Sequence, residues 1–419
     1  MTTSIETDSP AAPTWPTTNA FTQTLLGFTY DGEPDTFSAS CVAEFVAHDP
    51  TRYDYALSQI FEPAVLVEVA LVAGFEPDAV ESLQHAPTER MRWLADRVRN
   101  ASSLSGTAAV TSAAALISVS RFALATALLD TWEATGQAEV RDRFEIAMLR
   151  FIIENRTNAG AGSAVHFETM RAAVVSGGIP IDRQLDACSQ AVVWYLKRGE
   201  LPVDEFGWFA RHGNRLVVEH RDELAPGTVS SWFRGVAMVP ADLGDTERTR
   251  AVMKLADHAA DEAVADGGGA FEVHFKKTYL ESSIKEHMYV ARDEAKARAF
   301  GEELVALDPG WSASRGEVAE VRRSFGDLEG AVAAFDDAVT IGSPYIGYHL
   351  KSAADLLVRL DRLDEALARY RALAALGQPT DDLLRRIDDL ERGTMSEETG
   401  SVRPVYGRQG AGRDGGVTA

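Results

Sequence analysis

The sequence predicts an all-α chain on three observations. Through its 419 residues, period-two alternation of apolar and polar residues is scarce, whereas Ala, Leu, Glu and Arg recur at helical spacing. The breaks between periodic stretches are short and carry Gly, Pro, Asn or Ser. The C-terminal third also echoes itself at a nearly fixed offset, as stacked helical units do.

Taken in order, residues 1–20 have scattered Thr and Pro with Glu6 and Asp8. They lack the basic-then-apolar run of a secretory signal, so a disordered tail is expected there. Helices over 36–48 and 61–73 are followed by Gly74 and Pro77, and one over 87–100 runs into Asn100-Ala-Ser-Ser-Leu-Ser-Gly106. A helix over 107–133 opens with the most apolar run, the 14 residues from Thr107 to Ser120. That is short of the ~20 residues needed to cross a bilayer, so it reads as a buried helix and no membrane partner is expected. Helices over 137–154 and 165–176 are closed by Asn158-Ala-Gly-Ala-Gly162 and Gly177-Gly-Ile-Pro180.

Helices over 182–198, 203–222, 227–239 and 246–265 follow, with Gly244-Asp245 inside the series and Gly267-Gly-Gly269 after it. Helices over 272–291 and 294–307 end at Pro309-Gly310, and 312–325, 328–341, 346–360 and 363–375 complete the periodic part. The last helix, 379–392, sets Leu383, Leu384, Ile387 and Leu390 against Asp, Arg and Glu, the pattern of a terminal cap. Residues 393–419 lose periodicity and are expected to form a second disordered tail. The divisions are therefore 1–20, a helical region over 21–226, repeats with their cap over 227–392, and 393–419.

Lys and Arg total 41 against 63 Asp and Glu, a net charge of −22. Such a chain repels a phosphate backbone, so no nucleic-acid partner is expected. The two cysteines, Cys41 and Cys188, form no metal-binding spacing, and a reducing cytoplasmic setting is the expectation.

The repeat is carried by Gly326-Asp-Leu-Glu-Gly-Ala331-Val-Ala-Ala-Phe335-Asp-Asp-Ala338, echoed by Asp361-Arg-Leu-Asp-Glu-Ala366-Leu-Ala-Arg-Tyr370-Arg-Ala-Leu373. Ala297 stands in phase one unit earlier. This resembles the tetratricopeptide repeat, in which a small residue opens the second helix, an aromatic follows four later and another small residue seven later. The likeness is firm over 312–376. Three departures stand out: Pro344, closing the middle unit, comes one residue late, Gly301 sits where the aromatic is expected, and Arg322 replaces a usual aromatic. The resemblance implies antiparallel helix pairs stacked into a right-handed superhelix, an α-solenoid, because one pair cannot bury both of its apolar faces.

It also implies that the first helix of each pair lines a concave groove that holds a peptide or protein partner. Tyr279, Ser282, Ser283 and Glu286 would face it from the first unit. Glu317, Glu320 and Arg323, then Tyr348, Lys351, Ser352, Asp355 and Arg359, would follow from the next two. This lining does not match the Lys/Asn/Arg clamp that some relatives close on a C-terminal carboxylate. Beside it, Lys277, Glu281 and Lys285 stand at i, i+4, i+8, a charged stripe expected to be a solvated face, while Phe275, Leu280, Ile284, Met288 and Ala291 lean inward.

No P-loop, dinucleotide fingerprint, zincin or nucleophile-elbow motif occurs, and Gly267-Gly-Gly269 lacks the Lys-Ser/Thr of a phosphate cradle. His258, His274 and His287, with Glu281 and Glu286 nearby, do not fall at metal-ligand spacing, and no metal or cofactor is expected. Trp93, Trp132, Trp194, Trp208 and Trp232 read as core. The expected function is a scaffold or adaptor that binds a peptide or protein partner with a basic segment. The alternative is an enzyme or an enzyme's accessory subunit, with a pocket in the N-terminal half lined by His166, Glu168, His212 and His220.

Overall fold

The computed structural model describes residues 95–118, 122–157, 162–199, 201–265, 270–307, 309–341, 345–375 and 379–393. The helices expected over 36–48 and 61–73, most of 87–100, the tail over 1–20 and all but the first residue of the other tail lie outside these residues.

Every regular element among the described residues is helical. In chain order they are α1 (Gly106–Ser118), α2 (Phe122–Glu133), α3 (Val140–Thr157), α4 (Ala164–Ser176), α5 (Ile181–Arg198), α6 (Val203–Glu219), α7 (Pro226–Asp242) and α8 (Thr246–Ala265). Then come α9 (Ala270–Lys285), α10 (Glu294–Leu307), α11 (Ser312–Ser324), α12 (Leu328–Ile341), α13 (Ile346–Arg359), α14 (Leu363–Ala375) and α15 (Asp381–Glu391). The single helix expected over 107–133 is two: α1 and α2 pack on each other, which one continuous helix could not do. The helix expected over 203–222 stops at Glu219, and Arg221–Glu223 form a separate 3-10 turn. The one expected over 272–291 changes character near its end: α9 passes into a π-turn over Glu286–Val290, closed by Ala291 N–H donating to Glu286 O at 3.0 Å.

Helices adjacent in sequence pack together along nearly the whole chain, and second-neighbour contacts join α1 to α3, α5 to α7, α7 to α9 and α9 to α11. The result is a helical repeat-like array in which the odd-numbered helices are the first members of successive pairs. The repeat signature explains the contacts, since Ala297, Ala331, Ala366 and Ala338, with Phe335 and Tyr370, are all fully buried where helices cross.

Three large apolar cores succeed one another along the array, with a small fourth cluster of Val339, Ile346 and Leu350. The first runs from Ala101 to Trp232 and also takes in Ala259 and Trp311, with Phe151 packed on Phe167 (ring centroids 4.8 Å) and edge-on to Trp194 (5.4 Å). Trp132, Trp194 and Trp232 are buried in it, and the Trp132 indole N–H donates to Leu104 O at 2.9 Å, satisfying its only polar group. Cys188 is buried there too, and burial pushes its thiol far above the ordinary range, so it stays protonated and inert. The second core runs from Ala237 to Val321 and the third from Ala319 to Leu390, so α11 serves both. The last described helix, α15, is N-capped by Thr380, whose hydroxyl accepts from Leu383 N–H at 3.3 Å. Leu383 and Leu390 are buried, whereas Leu384, expected beside them, is exposed.

Glycines set how closely the helices approach. A Cβ on Gly213 of α6 would lie 2.4 Å from the Trp232 ring of α7, and one on Gly227 of α7 would lie 2.3 Å from the Phe275 ring of α9. On Gly316 of α11 it would lie 2.5 Å from His349 Nε2 of α13. In each case a large ring occupies the space that the missing side chain leaves. Gly213→Ala and Gly316→Ala should therefore lower the melting temperature, because overpacking costs ~1–3 kcal/mol and outweighs the ~1 kcal/mol that Ala gains over Gly in a helix. Gly207→Ala, which meets only the flexible end of Arg211, should leave it unchanged or raise it. Equal stabilisation by all three substitutions in a thermal melt would contradict this packing.

Candidate functional site

The first helices α9, α11 and α13 carry the residues expected to face a partner. Their places differ. Tyr279 is 3% exposed and lies in the second core, edge-on to Phe300 at 6.4 Å, and burial pushes its phenol up to about 12. Glu286 is also buried, paired with Arg250 of α8 at 3.1 Å; burial raises its pKa and Arg250 partly opposes that. Ser283 and Ser352 are buried as well. Ser282 is half-buried and donates to Thr278 O at 2.9 Å within its own helix.

The remaining residues form a band of polar side chains that crosses from helix to helix. Lys285 Nζ of α9 reaches Glu317 Oε1 of α11 at 3.2 Å. Glu320 of α11 pairs with Arg323 on its own helix and accepts from Tyr348 Oη of α13 at 2.6 Å. Lys351 pairs with Asp355 one turn on at 2.7 Å, and Asp355 also accepts from Tyr370 Oη and from Arg386 Nη1, the latter at 3.3 Å. Arg359 stands exposed at the end of α13. Tyr348 is 46% exposed, and its hydroxyl is held protonated by burial and by the Glu320 carboxylate. The band thus joins the first helices of three successive pairs through carboxylates that each hold a cation or a phenol.

The stripe Lys277, Glu281, Lys285 is not the solvated face that helical spacing suggests. Lys277 is 0% exposed and lies over the Trp311 ring. The reason is that α9 is covered on two sides, by α7 and by α11. Burial raises the Glu281 pKa, with Lys285 opposing and Glu317 reinforcing the rise. Nearby, Lys276 bridges Asp257 (2.9 Å) and Asp261 (2.8 Å), one turn apart on α8. Leu280, Ile284 and Met288 are buried as the spacing predicts, while Phe275 and Ala291 are half-buried.

The π-turn was not legible in the residue pattern. It directs the consecutive residues Glu286 and His287 inward together, where Arg250 meets both. His287 stacks on Phe300 (5.4 Å, 14°), and burial beside Arg250 pulls its pKa down to about 4.

The four residues named for an N-terminal pocket have separate surroundings. His166 Nε2 lies 3.0 Å from Glu154, and Glu168 is exposed. His212 is held between Gln184 and Arg215, each at 2.7 Å, and stacks on Trp208. His220 meets Glu223 at 2.9 Å. None of these contacts joins one of the four to another. Among the described residues no helix is long and apolar enough to cross a membrane, and no group of three or more His, Cys, Asp or Glu side chains is placed to hold a metal ion. No family model matches this chain, and no curated protein matches it.

His349, beneath Tyr348 on α13, is buried among Phe335, Tyr345 and Tyr348, and burial alone lowers its pKa to about 3. The unfolded chain binds a proton there below its ordinary value of 6.5, and the folded chain does not until far lower pH. Stability should therefore fall as the pH drops from 6.5 toward 3, by up to one proton's worth of slope, ~1.4 kcal/mol per pH unit. Urea unfolding of the native chain and of His349→Leu between pH 7 and 4.5 checks this: the variant should show the shallower pH dependence, and parallel curves would contradict it.

Proposed function

We propose that this chain is a binding scaffold whose recognition face runs across α9, α11 and α13 and takes a basic segment of a protein partner. The observation that carries the reading is the polar band itself. Lys285 to Glu317 and Tyr348 to Glu320 link helices of three successive pairs, so Glu317, Glu320 and Asp355 hold fixed positions on one extended array. An incoming Lys or Arg would meet these carboxylates by taking the place of Lys285, Arg323 or Lys351, which hold them in the free chain, and the half-exposed tyrosine offers it a ring face.

Net charge supports the same sign of partner. At −22, the chain attracts a basic segment from a distance and repels an acidic one, which raises encounter rates and selects between partners. Stacked helix pairs supply the area that such a segment needs, with side chains contributed by several units and no moving part. Tyr279 and Glu286 contribute from beneath, by holding α9 in register, and the surface contacts fall to Ser282, Glu317, Glu320, Arg323, Tyr348, Lys351, Asp355 and Arg359. The superhelical form of the array and the cytoplasmic setting belong to this proposal.

Affinity capture from native cell extract with the intact chain identifies the partner. A Glu317→Lys/Glu320→Lys variant, folded by circular dichroism, should then bind it about tenfold or more weakly, and the loss should shrink as salt is raised. Unchanged affinity at low salt would remove this face from consideration.

A further inference from the structure

Between α10 and α11 lies a half-open pocket of about 320 Å³. Its walls include Gly301 and Val305 of α10 with Val318 of α11, and three arginines, Arg298, Arg315 and Arg322, also line it. The chain's own repeat says what belongs there. One unit later, at the α12/α13 interface, the place of Gly301 is taken by Phe335, and those of Arg315 and Arg322 by Leu350 and Leu357. Phe335, Leu350 and Leu357 are all 0% exposed core residues. A ring and two leucines that fill one interface are thus replaced in the other by a glycine and two arginines, and a cavity stands where the apolar atoms would be.

The two arginines are incompletely served by the chain. Arg322 Nη1 donates to Gly330 O at 3.1 Å, which anchors one end of its guanidinium to α12. The Nε–H groups of Arg315 and Arg322 are buried and have no acceptor. Unsatisfied buried donors are costly, the more so on a charged group; being buried, these two are not the atoms a ligand in the cavity meets, and its contacts fall to the terminal nitrogens of the same side chains. Arg298 is differently placed, since Glu294 (2.7 Å) and Asp327 (3.6 Å) already answer its charge. Among the lining groups this leaves Arg315 and Arg322 against Glu302, one positive charge in excess, beside an apolar wall.

We infer that this cavity is a binding site for a small aliphatic carboxylate, whose charged head meets Arg315 and Arg322 and whose apolar body lies against Gly301, Val305 and Val318. A single excess charge fits a monoanion, the planar guanidinium groups fit the two oxygens of a carboxylate, and the volume fits a small molecule. The site uses none of the residues of the α9–α11–α13 band and stands or falls separately from it. Two sources supply this chemistry, a free acid or the C-terminal residue of a peptide ending in an apolar side chain.

Calorimetric titration of the full chain tests the site with octanoate, octanol, inorganic phosphate, and a peptide ending in Leu in its free-acid and amidated forms. Octanoate should bind saturably and octanol should not. Arg322→Gln should weaken octanoate about tenfold or more. Arg315→Leu/Arg322→Leu, which restores the residues of the following unit, should abolish binding while raising the melting temperature. Peptide binding lost on amidation identifies a chain terminus as the source, and octanoate binding without peptide binding identifies a free acid; both support the site. Absence of octanoate binding, equal binding of octanol, tighter binding of phosphate, or full octanoate affinity in Arg322→Gln would each overturn it. If the double variant fails to fold, Arg322→Gln and the octanol comparison still decide.

Discussion

The array depends on how near one helix pair can come to the next. A helix pair in isolation leaves apolar faces uncovered, and stacking covers them only where backbones approach closely enough for side chains to interlock. In this chain the approach is made at glycines that receive a ring from another helix: Gly213 receives Trp232, Gly227 receives Phe275 and Gly316 receives His349. Where Ala is the small residue instead, as at Ala297, Ala331 and Ala366, the second helices cross with the same economy of space. Everything else, the order of the cores and the alignment of the polar band included, follows from these seats.

Charge is arranged around the same constraint. First helices covered on two sides leave little room for long polar side chains to reach water, so several charges of α9 are taken into the stack. Lys277 lies over Trp311, a placement in which the ring face and the dry surroundings strengthen the attraction to a cation. Glu286 and His287 share Arg250 across the π-turn. Buried ionic groups of this kind contribute less to stability than their number suggests, because desolvation offsets most of the attraction. They do fix the rotation of α9, and with it the direction in which Lys285 and Ser282 point.

Element positions were largely legible in the sequence, because Gly, Pro and Asn punctuate the chain at almost every helix end and the 3.6-residue period marks each buried stripe. From Val203 onward the expected and observed helices differ mainly at their ends. Periodicity describes one face of one helix, however, and carries no record of which neighbour covers the other faces. That is why Lys277 read as solvated although α7 and α11 enclose it, and why Tyr279 and Glu286 read as partner-facing although they are buried. The break between α1 and α2 was hidden for a related reason: the apolar residues flanking Arg121 continue in phase, and only the folding of α2 back onto α1 separates them. Gly301 and Arg322 were visible as departures from the repeat, but their meaning required seeing both at one interface.

The glycine seats also bear on how the chain is completed during synthesis. Gly316 on α11 is filled by His349, which the ribosome adds 33 residues later. At ~5–20 residues per second, Gly316 waits on the order of 2–7 s for the ring that closes it. Until then the growing chain presents α11 with that glycine bare. The last described helix, α15, is seated through Leu383 and Leu390 and leaves Leu384 exposed.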